Sequence, residues 1–217
     1  ALPTPSIRGK CVNLVKAGGT GRNRLERGRG RCGLVAPSPE PICSQDENAG
    51  NAVLKKNAVE PRLYREAMSR FAGAVHVVTT DGPYGRRGVT VIAACSVSDD
   101  PPTILVCLNR VKTDNDCFAQ NGVFALNTLA TEQRALADAF SGLTGLSQEE
   151  RFALAQWETE ASGAPVLPGA LATFDCQLVE AKDFATHRVL FGKVTGVRIG
   201  DSLDPLIYHQ RAYRVLG

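Results

Sequence analysis

A chain of 217 residues with 43% hydrophobic and 22% charged side chains is long enough for one domain with a full core, in the balance of an ordinary globular protein. It has no run of 18 apolar residues, so no segment reads as a membrane-spanning helix and no membrane partner is expected. The formal net charge of +3 is unevenly divided: residues 1–55 carry nine Lys and Arg against four Asp and Glu, and residues 56–217 are mildly acidic at −2.

In chain order, residues 1–55 contain no aromatic side chain, and they hold GGTGRNRLERGRGRCG and the proline cluster APSPEPIC. Such a segment cannot bury enough apolar surface to offset the entropy of ordering it, so it reads as a flexible basic extension outside the domain. Its arginines superficially suit a transit peptide or a nucleic-acid arm. Without interleaved aromatics or an apolar core segment, neither is favoured, and no nucleic-acid partner is expected. Its loosely spaced glycines follow no strand and open no helix, so no dinucleotide or phosphate-loop fingerprint is present. The domain is expected over residues 56–217.

RLYREAMSRFAG (62–73) has helical spacing and is expected to stop at Gly73. AVHVVTT (74–80) reads as a strand and DGPYGRRG as a hairpin loop. Further strands are predicted at 89–98, 103–109, 122–129, 170–180 and 187–199. Helices are predicted at 131–142 and at 147–157, the latter opened by a Ser147/Glu150 capping box. Short strands without regular βαβ alternation predict a mainly β protein, a closed antiparallel barrel with a few flanking helices. The seven cysteines form no CxxC pair and no zinc spacing, and read as reduced, mostly buried thiols of a cytoplasmic protein.

The strand GVTVIAACSVSDDPP (88–102) fills its centre with small side chains, as a strand does when something flat lies close to its backbone. Thr90 and Ser96 offer hydroxyls, and the peptide groups around Ala94 and Cys95 offer an edge to read a ring. Asn109, Arg110, Lys112, Thr113 and Asn115 precede a helical turn at DCFAQ, a place suited to a phosphate. On these residues alone, ligand binding and an ordinary strand with a solvated loop both stand.

The motifs FAGAVHVVTT, GVTVIAACSVSDDPPTILVCLN, NGVFALNTLA, LADAFSG, RF, W, FDC, TH(x)4GKV and PLIYHQRAYRVL occur in one register over residues 60–217. In this they resemble the short-chain flavin reductases that serve two-component monooxygenases. Two subgroups look most similar, the FMN reductases of pyrimidine (uracil) oxygenase systems and the reductases of cob(II)yrinic acid a,c-diamide. The resemblance implies a Greek-key, FMN-binding split β-barrel that forms a homodimer with flavin at the subunit interface. It also implies that Gly88, Thr90, Ala94, Cys95 and Ser96 contact FMN, with Lys112 and Thr113 near the phosphate. There KTDN departs from the usual Ser-x-Thr. The family's Gly-Asp-His triplet beside the nicotinamide stands here as Ala185-Thr186-His187, which keeps His187 as the catalytic and nicotinamide-side residue without the acidic neighbour.

Hydride transfer from a nicotinamide to flavin needs orientation more than acid–base help, and the sequence has no hydrolase or metalloprotease signature. The reading is an NAD(P)H-dependent FMN reductase that supplies reduced flavin to a monooxygenase, with FAD and NADPH as alternative cofactors and no metal. The rivals are a corrinoid reductase and a non-catalytic flavin-binding module. Tyr208, Arg211, Tyr213 and Arg214 suit stacking on and pairing with a dinucleotide, or equally a final strand with one solvated face. His76 is expected to be structural, Trp157 a core or interface anchor, and Cys95 a small packing residue.

Overall fold

The computed structural model describes residues 59–216; the expected basic extension lies outside the described residues. The first helix, α1 (Pro61–Met68), starts where Glu60 accepts from the amides of Arg62 and Leu63 at 2.9 and 3.0 Å and Pro61 presets the first turn. It stops at Met68, short of the expected Gly73. The Ser69 carbonyl is taken by the amide of Gln210 at 2.7 Å, and Gly73 is drawn into a strand opposite Tyr208.

Twelve strands follow: β1 (Gly73–Ala74), β2 (His76–Thr80), β3 (Arg87–Val91), β4 (Ala94–Asp99), β5 (Pro102–Asn109), β6 (Val123–Thr128), β7 (Glu158–Thr159), β8 (Pro165–Val166), β9 (Ala172–Phe184), β10 (His187–Ile199), β11 (Ile207–His209) and β12 (Ala212–Arg214). Three further helices are α2 (Asp116–Asn121), α3 (Arg134–Ser141) and α4 (Gln148–Phe152). Ser147 caps α4 in the predicted box with Glu150, but the helix ends at Phe152. Trp157 then turns back, donating its indole N–H to the Phe152 carbonyl at 2.9 Å.

Seven strands form one antiparallel sheet in the order β3-β2-β6-β9-β10-β5-β4. Its two edge strands, β3 and β4, are consecutive in the chain and separated only by Ile92 and Ala93. Laid flat, seven strands would hold their edges about 29 Å apart, whereas Val91 to Ala94 spans at most about 11 Å. The sheet therefore curls on itself. It is not the closed barrel expected from strand count, because no ladder joins β3 to β4. The free edge of β3 is occupied by helices instead: the Gln148 side chain bonds both the amide (3.0 Å) and the carbonyl (3.3 Å) of Gly88, and the Thr90 hydroxyl donates to the Ala137 carbonyl at 2.8 Å. The mainly β architecture with a split sheet thus stands, while the single predicted strand 89–98 is two strands on opposite edges.

Val78, Ile104, Val106, Leu108, Phe124, Leu126 and Leu190 fill the inside of the curl, and α2 inserts Phe118, fully buried. A second cluster packs Val75 and Val77 against Leu136, Phe140 and Phe152. There Phe140, Phe152 and Trp157 meet edge to face with centroids 5.0–5.8 Å apart, so Trp157 is the expected anchor. A Cβ at Gly88 would run into the ring of Phe140, which explains a glycine at that strand position. Of the cysteines, Cys117 and Cys176 are buried and Cys107 partly so. Cys95 is exposed, correcting its expected packing role, because it faces outward on the edge strand β4. Among the described residues no helix is long and apolar enough to cross a membrane.

Candidate active site

The end of β5 and the start of β10 meet in register, with Asn109 opposite His187. Between this corner, β3 and the C-terminus of α3 lies a groove of about 290 Å³, lined among others by Thr90, Ile92, Asn109, Lys112, Ser141 and His187. Five of the residues singled out in the sequence (Thr90, Asn109, Lys112, Asn115 and His187) are thus brought together.

Local polar bonds shape the loop after β5. The Asn109 side-chain oxygen accepts from the amide of Val111 at 2.9 Å, and its carbonyl accepts from the Asn115 side chain at 2.8 Å. Asn115 is buried, and its oxygen accepts from Arg87 Nε at 2.7 Å. Asparagine at both ends of the loop lets short side chains replace backbone partners, which is why a six-residue connection holds a fixed shape.

Lys112 projects from this loop towards Gly142, the left-handed residue that ends α3 (φ 89°). A Cβ placed on Gly142 would lie 3.9 Å from both Lys112 Nζ and Arg151 Nη2, so two cations converge beside a residue whose positive φ favours glycine. Among the described residues no carboxylate pairs with either cation. Arg151 is anchored by its Nε donating to the Leu146 carbonyl at 2.8 Å. Arg151 and Gly142 carry no site signal in the sequence, where RF and LADAFSG stand only among the motifs of the resemblance; their meeting with Lys112 is tertiary.

A second groove of about 560 Å³ shares Thr90, Val91, Ile92 and Ser141 with the first and runs on to Arg134, Asp138, Tyr208 and Tyr213. The C-terminal segment is a hairpin, β11–β12, turning at Gln210 and Arg211, both with φ in the left-handed region. Tyr208 and Tyr213 meet edge to face at 5.5 Å, with the Arg134 guanidinium 5.3 Å from the Tyr213 ring. Burial, followed by the nearby Asp138 carboxylate, pushes the Tyr213 phenol up. Arg211 is held by Glu66 of α1 at 2.9 Å, and Arg214 is exposed.

The remaining sequence candidates lie elsewhere. Gly88 is buried against Phe140 with both peptide groups bonded to Gln148, so it packs the sheet on the helices and does not line the groove. The Thr90 hydroxyl, expected to face a ring, is committed to the Ala137 carbonyl. Thr113 is exposed at the start of a 3-10 turn and does not line the groove. Ala94, Cys95 and Ser96 belong to a separate apolar mouth of about 340 Å³, with His76, Leu126, Phe174 and Val194. The physical reason is the edge change at Ile92–Ala93, after which the chain leaves β2 and pairs with β5 as the other edge of the sheet. His76 is structural as expected: its Nδ1 sits 3.0 Å from Thr128 Oγ1 and burial lowers its pKa to about 4.

The β9–β10 hairpin tip that carries His187 is clamped by charge. Asp183 receives Arg188 at 2.7 Å and Arg110 at 3.0 Å, and Arg188 also reaches Asp116 of α2 at 2.8 Å. The Arg188 hydrogen bond holds the Asp183 carboxyl below the ordinary carboxylate range. Among the described residues no cluster of His, Cys, Asp or Glu could hold a metal ion. The backbone of β3 along the groove, two cations meeting near Gly142 and an imidazole in the lining fit a planar ring carrying a phosphate, in a groove near the lower end of the size ligand sites have.

Residues 68–217 match the model of the flavin reductase like domain. The chain is 46% identical over 171 residues to the FMN reductase (NADH) RutF of Ancylobacter novellus, covering 79% of this chain and 92% of that protein. It is 47% identical over 153 residues to that of Stutzerimonas stutzeri, covering 70% and 87%. Among solved structures, BorF, the flavin reductase component of a bacterial two-component tryptophan halogenase, is 32% identical with a TM-score of 0.66, covering 72% of this chain and 98% of that one. On both sequence and fold, the chain belongs to the flavin reductase like domain family.

Proposed function

We propose that this protein is an NADH-dependent FMN reductase that hands reduced flavin to a monooxygenase partner. The observation that carries the reading is the 46% identity to an FMN reductase (NADH) over 92% of that protein. The groove supports it, with Lys112 and Arg151 meeting near Gly142 and His187 in the lining. When bound, FMN supplies a ring that accepts hydride; the chain supplies orientation and exclusion of water. Lys112 and Arg151 hold the flavin phosphate, the backbone of β3 and of the Ile92–Ala93 link lies along the ring, and Asn109 and His187 face the nicotinamide. Tyr213 and Tyr208 continue that surface for the rest of the dinucleotide.

The working form is a homodimer. The unpaired edge of β4, with Ile92 and Val97 exposed, and the exposed Phe184, Val197 and Ile199 of the β9–β10 ribbon are apolar surface that a second copy would cover, bringing Ala94, Cys95 and Ser96 towards the flavin. We place the protein in the cytoplasm, where its free thiols stay reduced.

Anaerobic absorbance of the full chain with FMN and NADH tests the reading. Rapid bleaching of the flavin band is expected, slowed by up to about a hundredfold in His187→Ala as orientation of the nicotinamide is lost. Flavin that binds and never bleaches would leave a binding module. Bleaching followed by reoxidation only on adding a cobalt corrinoid, with flavin retained throughout, would point to a corrinoid reductase.

A further inference from the structure

Between β9 and β10 the chain turns through Ala185 and Thr186 into His187. Ala185 adopts φ 50°, a left-handed conformation that costs an alanine about 1 kcal/mol. The turn is held in place from three directions. The Arg110 amide donates to the Thr186 carbonyl at 3.1 Å, Phe184 pairs with His187, and the Asp183–Arg188–Asp116 clamp ties the hairpin to α2. With its backbone fixed in this way, Thr186 brings its hydroxyl 2.9 Å from His187 Nδ1.

We propose that Thr186 is a positioning residue for His187, occupying Nδ1 so that Nε2 is the nitrogen offered to the groove. The inference rests on the reading of His187 as the nicotinamide-side group. A hydroxyl differs from a carboxylate here in a definite way. It donates to a bare Nδ1 and accepts from a protonated one, so it fixes the ring's orientation in either tautomer. A carboxylate only accepts, which locks the proton on Nδ1 and favours the imidazolium. The charged groups around the turn, Arg110, Lys112, Asp183, Arg188 and Asp116, are the same in every variant below and cancel in the comparison.

The test uses the full chain with FMN and NADH. Thr186→Val keeps the β-branched shape and is expected to lower kcat/KM for NADH about threefold to tenfold, as for one lost hydrogen bond, with FMN affinity unchanged. Thr186→Ser is expected to recover the parent value within about twofold. In a His187→Ala background, Thr186→Val is expected to cost nothing more. A full additional loss in that background overturns the inference while leaving the role of His187 standing. A His187→Ala variant as active as the parent overturns the reading of His187 itself, and the positioning role with it.

Discussion

The strand β5 runs between two cavities, one at each end, and each holds a histidine. At the Asn109 end, His187 is exposed, and Lys112 and Arg151 stand without carboxylate partners among the described residues. At the Pro102 end, His76 is half-buried and hydrogen-bonded to Thr128, and Asp99 is the one charged residue lining the mouth. The same curled sheet supplies both floors, so the difference lies in what the flanking loops contribute. Charge left unpaired beside Gly142 suits an anion, whereas a neutral imidazole among Leu126, Phe174 and Val194 completes a core.

The sharpest way to break this comparison is pH. His76 has a folded pKa of about 4 against an ordinary 6.5, so between those values the unfolded chain binds more protons than the folded one. Its contribution is therefore fully present above pH 6.5 and is lost as pH falls towards 4, about 3 kcal/mol in all. Urea unfolding at pH 7.5 and at pH 4.5 should show this decline in the parent and a clearly flatter one in His76→Asn. An unchanged slope would mean that His76 is not the neutral core group described.

The opposite end is sharpened by removing charge. Lys112→Ala is expected to weaken FMN binding about tenfold to a hundredfold, the worth of a charged hydrogen bond, with a similar loss for Arg151→Ala. Binding of riboflavin, which lacks the phosphate, should hardly change, and equal losses for the two ligands would remove the cations from the phosphate. Fluorescence titration measures both.

The contrast between the two ends was only partly legible in the sequence. β10 was read with its observed bounds, and β5 and β6 to within a residue, because their apolar periods run unbroken into turns or prolines. The fusion of β3 and β4 into one strand had a different origin. In GVTVIAACS the β-branched and small residues continue across the break, and a change of sheet edge leaves no mark on a period of two. For the same reason Ala94, Cys95 and Ser96 were grouped with Thr90, from which the structure separates them. The helix stop at Gly73 failed because the hairpin at Gln210, over a hundred residues away, captures the helix end. Arg151 has no local signal of a site residue since Lys112 and Gly142, which it approaches, come from other elements.

The smallest expected effect concerns the seam between the two ends. Thr90 stands on β3 just before the link to β4, and its hydroxyl ties that free edge to α3 through Ala137. Thr90→Val keeps the shape and removes the donor, leaving a helix carbonyl short of one partner but still able to accept within α3. A loss of about 0.5–1.5 kcal/mol is expected, seen as a fall of roughly 1–6 °C in Tm for a domain of this size. Because the hydroxyl is turned towards the helix, FMN affinity should shift far less than in Lys112→Ala. If instead Thr90→Val weakened FMN as strongly as Lys112→Ala while leaving Tm unmoved, the hydroxyl would serve the ligand, and the free edge of β3 would owe its place to Gln148 alone.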